Sequence, residues 1–148
     1  MAAGGSKKVK PKWVIDLHGV REMLTTTINS TKVAAIDAIT SGEMVILRTA
    51  GDELKKLYPD LWPQFNAIKP KKYIVASVAA LSTSAQLMES YGASLLGGSP
   101  SAKHFEAIAV ARLERCTLIS SGKGLNDCIK IAKKCGLKNN CVSDLSSL

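Results

Sequence analysis

Apolar residues along this chain come in short continuous runs separated by longer amphipathic stretches, the pattern of buried parallel strands alternating with helices. Trp13-Val14-Ile15 is the first run, and it stops abruptly at Asp16. Met44-Val45-Ile46-Leu47 and Thr117-Leu118-Ile119-Ser120 are two more, and a last short strand is expected within Leu137 to Val142. His18-Gly19 breaks the first pattern before a polar-apolar stretch, Arg21 to Leu24, of helical character. From Thr31 the apolar positions Val33, Ala34, Ile36, Ala38 and Ile39 predict a helix closed by Ser41-Gly42. Thr49 to Glu53 leads into a helix through Leu54 and Leu57 that Pro59 stops, and Asp60 to Pro70 reads as irregular or short-helical. Tyr73 to Val78 suits either a strand or a helix start, whereas Ala79 to Tyr91 is helical. Gly97 to Ser101 is a loop. Ala102 to Arg115 is a helix with Phe105, Ile108, Ala109 and Leu113 on its apolar stripe. Ser121 to Gly124 is a loop before the helix Leu125 to Cys135. The alternation predicts one α/β domain, a three-layer sandwich around a central, mainly parallel sheet.

A chain of 148 residues, 46% of them hydrophobic, buries a real core and is not a disordered polymer. It contains no apolar run long enough to span a bilayer, and residues 1–12 lack the apolar segment of a secretory signal, so a cytoplasmic location is expected. The net charge of +8 is concentrated at the front, with Lys7, Lys8, Lys10 and Lys12 and no acid among the first twelve residues. Residues 1–11 are expected to be a flexible basic tail ahead of a domain over 12–148. Such a tail suits a polyanion through counterion release. It equally suits a solubilising or linker segment, since Met-Ala-Ala-Gly-Gly-Ser is linker-like. Cys116, Cys128, Cys135 and Cys141 form no C-x-x-C pair, and neither histidine has finger spacing, so the thiols read as small buried side chains rather than zinc ligands.

In a parallel sheet, ligands bind beyond the carboxyl ends of the strands. Asp16 ends the first strand there, Glu53 opens the helix after the second, and Glu106 lies in the helix before the Thr117–Ser120 strand. Carboxylates from three segments are what Mg²⁺ or Mn²⁺ requires. Such a cation lowers the pKa of a coordinated water and offsets charge on a phosphodiester. Ser120-Ser-Gly-Lys-Gly124 is a candidate anion-binding turn, without the spacing of a P-loop.

The order of these motifs resembles the PIN-domain nuclease superfamily. Lys12-Trp-Val-Ile-Asp16-Leu-His-Gly-Val20 is similar to its opening strand, and Ser41 to Leu47 followed by Gly51-Asp-Glu53-Leu54 to its second strand and glutamate-bearing helix. Phe105 to Leu113 and Cys116 to Ser121 are similar to its later helix and strand. Ile129 to Leu137 and Ser143-Asp-Leu145 are similar to the close of a PIN-like bacterial subfamily, whose insertion Tyr58 to Tyr91 would match. The resemblance implies a metal-dependent ribonuclease and, as for many small PIN proteins, the toxin of a toxin–antitoxin pair. Its catalytic residues would be Asp16, Glu53 and Glu106, with Asp16 and Glu53 on Mg²⁺ or Mn²⁺. Lys123 and Arg48 would hold the RNA backbone. Its partners would be RNA and an antitoxin protein, with a homodimer as the candidate assembly and no membrane contact.

Three positions depart from the family pattern. The third acid is expected at Phe105, which leaves Glu106 one residue away, a rotation of about 100° on a helix. The acid after the fourth strand is expected near Ser121 or Gly122, and His18 stands where a small polar residue is usual. The alternative is therefore a catalytically inactive PIN-like module that binds RNA or protein.

Overall fold

The computed structural model describes residues 10–92 and 101–148. The basic tail expected over residues 1–11 lies outside them up to residue 9, as does most of the loop expected at Gly97 to Ser101. β1 (Trp13–Ile15), β2 (Met44–Leu47), β3 (Tyr73–Ile74), β4 (Thr117–Ser120) and β5 (Val142–Asp144) form a parallel five-stranded sheet in the order β3-β2-β1-β4-β5. The helices between them are α1 (Leu17–Thr25), α2 (Asn29–Thr40), α3 (Arg48–Leu57), α4 (Trp62–Asn66), α5 (Val78–Tyr91), α6 (Ala102–Leu113) and α7 (Gly122–Lys134). α1 packs with α2 and α3, and α6 with α5 and α7, giving an α/β sandwich. Every residue of β2 is buried, and Val14, Ile15, Leu118 and Ile119 are inaccessible to solvent, as a sheet covered on both faces demands. No helix among the described residues is long and apolar enough to cross a membrane.

The chain moves outward from β1 through β2 to β3, then returns to the other side of β1 for β4 and β5. The sheet's switch point is thus the crevice between β1 and β4. Val14 is level with Leu118 and Ile15 with Ile119, so Asp16 emerges beside Ser120. The Asp16 N–H continues the ladder by donating to Ile119 O at 3.1 Å.

Four elements differ from the sequence expectation. α3 already starts at Arg48, directly after β2, so Thr49 to Glu53 is helical and Glu53 sits midway along the helix instead of opening it. α1 runs straight through His18-Gly19, because Asp16 caps it: Oδ1 accepts from Gly19 N at 2.8 Å, satisfying a free first-turn donor. Gly19 here serves close packing. A Cβ on it would lie 2.6 Å from Ile15 Cγ1 and 3.0 Å from the Ile119 carbonyl oxygen. Gly19→Ala should therefore destabilise the domain by about 1–3 kcal/mol, by overpacking; a urea midpoint equal to that of the parent would show that the first turn yields freely. α7 begins at Gly122, so the expected loop Ser121 to Gly124 is largely its first turn. The last strand is displaced toward the C-terminus, since Asn139–Cys141 forms a 3-10 turn and pairing with β4 starts only at Val142.

α6 is also more central than its stripe suggested. Seven consecutive positions apart from Glu106, from His104 to Ala111, are buried, while Leu113 is 46% exposed. A helix enclosed by β1, β4, α5 and α7 shows little amphipathic pattern.

Candidate functional site

Asp16 is 5% exposed at the switch point, and its two oxygens have different fates. Oδ1 holds the first turn of α1, whereas Oδ2 is buried without a hydrogen-bond partner. The Ser120 hydroxyl beside it, fully buried, is also unpartnered. Burial raises the Asp16 pKa; the Gly19 N–H, the nearby Ser120 hydroxyl, His18 and His104 only partly oppose it. An orphaned carboxylate oxygen in low dielectric is costly unless a cation or a proton reaches it.

Asp16 opens onto a cavity of about 300 Å³ that Glu53, Lys103 and His104 also line. Asp16 from the end of β1 and Glu53 from α3 thus line one cavity. Glu53, midway along α3, bonds Lys103 Nζ at 2.6 Å. The Lys103 side chain is 65% exposed, so this pair is a solvent-screened one worth about 0–1 kcal/mol. Glu106 is not brought to Asp16. It lines a separate cavity of about 140 Å³ with Arg48, Val75 and Leu81. The reason is helical phase: the α6 positions beside it, His104 and Phe105, turn inward, and Phe105 is fully buried edge-on against Tyr91 at 5.6 Å.

His104 is the α6 side chain that approaches Asp16, a residue absent from the sequence reading. Its Nδ1 lies 3.7 Å from Cys128 Sγ on α7, and its Nε2 lies 3.5 Å from Asp127 Oδ2. The ligating atoms of Asp16, His104 and Cys128 all lie within 4.8 Å of one another. Burial lowers the His104 pKa, with Asp16 and Asp127 opposing, so the ring is neutral near neutral pH. Burial likewise pushes the Cys128 thiol far up. His18 lies beside His104, ring centroids 5.6 Å apart, and its ring fits only because Gly124 has no Cβ, which would sit 2.4 Å from it. The one clue in sequence was a histidine four residues before Ile108 on a buried helix.

The two basic residues expected to hold RNA separate as well. Lys123 lines an open groove of about 470 Å³ with His18 and Arg21, and His18 joins that groove to the Asp16 cavity. The uncapped N-terminus of α7 lies there, since Ser121 makes no side-chain capping bond. Arg48 instead faces the Glu106 cavity, pairing loosely with Asp52 at 3.8 Å and stacking over Tyr73 at 5.1 Å. Asp144, at the end of β5 level with Ser120, is the acid at this rim after β4, but it caps a 3-10 turn by accepting from Ser146 N at 3.3 Å.

No family model matches this sequence, and no curated protein sequence matches it. Solved structures do. The domain is similar to FitAcB from Neisseria gonorrhoeae, with a TM-score of 0.63 and 15% identity over 92% of this chain and 99% of that one. It is also similar to PAE2754 from Pyrobaculum aerophilum, with a TM-score of 0.57 and 12% identity over 93% of this chain and 86% of that one. At such identities the likeness is one of fold.

Proposed function

We propose, from the PIN-like fold that these likenesses establish, that the domain is a metal-dependent ribonuclease, of the kind that acts as the toxin of a toxin–antitoxin pair. The observation that carries this reading is the buried, unpartnered Asp16 Oδ2 at the switch point, on a residue that lines the same cavity as Glu53. Both donors are carboxylates, the set Mg²⁺ or Mn²⁺ accepts when water and phosphate oxygens complete the shell. When bound, the cation supplies charge stabilisation at the scissile phosphate and a more acidic water.

The chain's own residues do the rest. Asp16 and Glu53 position the cation, and Glu53 must leave Lys103, which the weakness of an exposed ion pair makes inexpensive. Lys103, once released, can meet a phosphate at the mouth of the cavity. Arg21 and Lys123 hold the flanking backbone in the adjoining groove, where the first-turn N–H groups of α7 also favour an anion. His18 lies between the two spaces and lines both. Glu106 and Arg48 have no direct part in this arrangement.

The test is cleavage of a mixed-sequence RNA with Mn²⁺ and with chelator. Cleavage should need the metal and fall at least 100-fold in Glu53→Gln; equal metal-dependent cleavage by parent and variant would reject the role of this cavity. Lys103→Ala should raise the apparent affinity for Mn²⁺ several-fold while changing stability by less than about 1 kcal/mol. Unchanged affinity would show that the pair does not compete with the cation.

A second reading has its own support. His104 and Phe105 stand where α6 would bring an acid, and Ser121 and Gly122 provide none after β4. A PIN-like domain that binds RNA or a partner protein without cleaving it would fit those positions. It is favoured if Mn²⁺ leaves the melting temperature unchanged while RNA still binds.

A further inference from the structure

Asp16, His104 and Cys128 come from β1's end, α6 and α7, and only the packing of those three elements brings them together. All three are buried, at 5%, 9% and 0% exposure. They present one oxygen, one nitrogen and one sulfur donor within 4.8 Å of each other. This is not the donor set of a hard cation, because thiolate and imidazole select borderline metals. We propose that these three side chains form a binding site for a borderline divalent metal of the Zn²⁺ class, with an open coordination position toward the cavity that Asp16 and His104 line.

Four observations support it. Tetrahedral Zn²⁺, with bonds near 2.0–2.1 Å to nitrogen and 2.3 Å to sulfur, puts those two donors roughly 3.5 Å apart. His104 Nδ1 and Cys128 Sγ are 3.7 Å apart before any metal draws them in. Asp127 Oδ2, 3.5 Å from Nε2, can accept that nitrogen's proton and leave the Nδ1 lone pair aimed at the cluster, the outer carboxylate that metal-bound histidines usually have. The Asp16 Oδ2 atom is buried with no other partner. Finally, Cys128 is the fully buried thiol in contact with His104, while Cys135, just after α7, points its sulfur at Leu87 O.

Binding replaces the Cys128 thiol proton, which passes to solvent as the sulfur becomes a thiolate ligand; no bond to carbon changes and no oxidant is involved. The site does not depend on RNA cleavage and shares only Asp16 with the Mg²⁺ or Mn²⁺ arrangement. The two metals therefore compete for that carboxylate, and a Zn²⁺-class ion is expected to suppress whatever Mn²⁺-dependent activity the domain has.

The test is titration of the full-length, chelator-stripped protein with Co²⁺, followed by absorption spectroscopy, and then displacement by Zn²⁺. One equivalent should give a thiolate-to-cobalt charge-transfer band and tetrahedral ligand-field bands, both erased by Zn²⁺ and unaffected by excess Mg²⁺. Cys128→Ser should lose the charge-transfer band and Cys135→Ser should keep it. Asp127→Asn, partly exposed and isosteric, should weaken Co²⁺ binding by 10- to 100-fold with its folding intact by circular dichroism. The proposal is overturned if the parent gives no charge-transfer band. It is also overturned if that band survives Cys128→Ser or depends on Cys135, or if Asp127→Asn binds Co²⁺ as tightly as the parent. RNA cleavage does not enter the readout, so failure here leaves the ribonuclease reading standing, and failure of cleavage leaves this site standing.

Discussion

Asp16→Asn should abolish metal-dependent RNA cleavage and, in chelator, make the protein more stable. The two effects have one cause. The carboxylate is buried with one oxygen unpartnered, so its charge is a cost to folding and an asset for holding a cation. Asparagine keeps the Oδ1 cap to Gly19 N and turns an amide toward Ser120 Oγ, which also lacks a partner. The gain is about 1–3 kcal/mol, a rise of several degrees in melting temperature. Its pH dependence follows from the raised pKa. Below the ordinary value of 3.8 the aspartic acid is protonated in folded and unfolded chains alike, and the advantage of asparagine is small. As pH climbs through the raised folded value the unfolded chain has already released its proton, so the parent loses stability and the advantage grows to a plateau. Added Mn²⁺ should reverse the order, stabilising the parent and leaving the variant unmoved. A variant that melts below the parent in chelator at neutral pH would show that the charge is satisfied in the fold.

Phe105→Ala should cost about 3–5 kcal/mol, the largest loss from any single truncation near the site. Its ring is fully buried, edge-on to Tyr91 on α5, in the helix that touches β1, β4, α5 and α7. The cavity left behind would lie next to His104, so the response to metal should weaken together with stability. An acid at this position would be worse, an unpaired charge in a fully buried place. The α6 position that faces Asp16 is 104. Urea unfolding of Phe105→Ala measures the loss directly, and a change below about 1 kcal/mol would mean that the ring is not part of the core.

His104 adds a smaller dependence at the acid side. Its pKa is lowered by burial, so the unfolded chain takes up a proton that the folded ring resists, and stability falls as pH drops below the ordinary 6.5. Melting curves of the parent and His104→Gln between pH 5 and 7.5 should converge as pH falls, since only the parent carries that penalty. Parallel curves would assign the acid sensitivity to other groups.

Much of the scaffold was legible because single residues carried it. Trp13-Val14-Ile15 followed by Asp16 could hardly be other than a buried strand ending at a rim, and Pro59 after Leu57 marks the end of α3, whose start at Arg48 lies before the expected lead-in. Gly19 misled because a glycine that permits close packing looks the same in sequence as one that breaks a helix. β5 was placed too early because Leu137 has the hydrophobicity of a strand residue, while its neighbours turn into a 3-10 segment before pairing begins. The site was half legible. Asp16 follows from a strand end and Glu53 from the helix after β2, whereas Glu106 lies two positions along α6 from His104, the residue that approaches Asp16. His104 and Cys128, 24 residues apart on two helices, meet only through the packing of α6 on α7, which no local spacing encodes.

The most direct test of the central claim is a crystal of the full chain soaked in Mn²⁺ and examined by anomalous scattering. One Mn²⁺ is expected in contact with Asp16 Oδ2 and Glu53, with Lys103 released from the glutamate. A cavity without Mn²⁺ at saturating concentration, with Glu53 still bonded to Lys103, would contradict it.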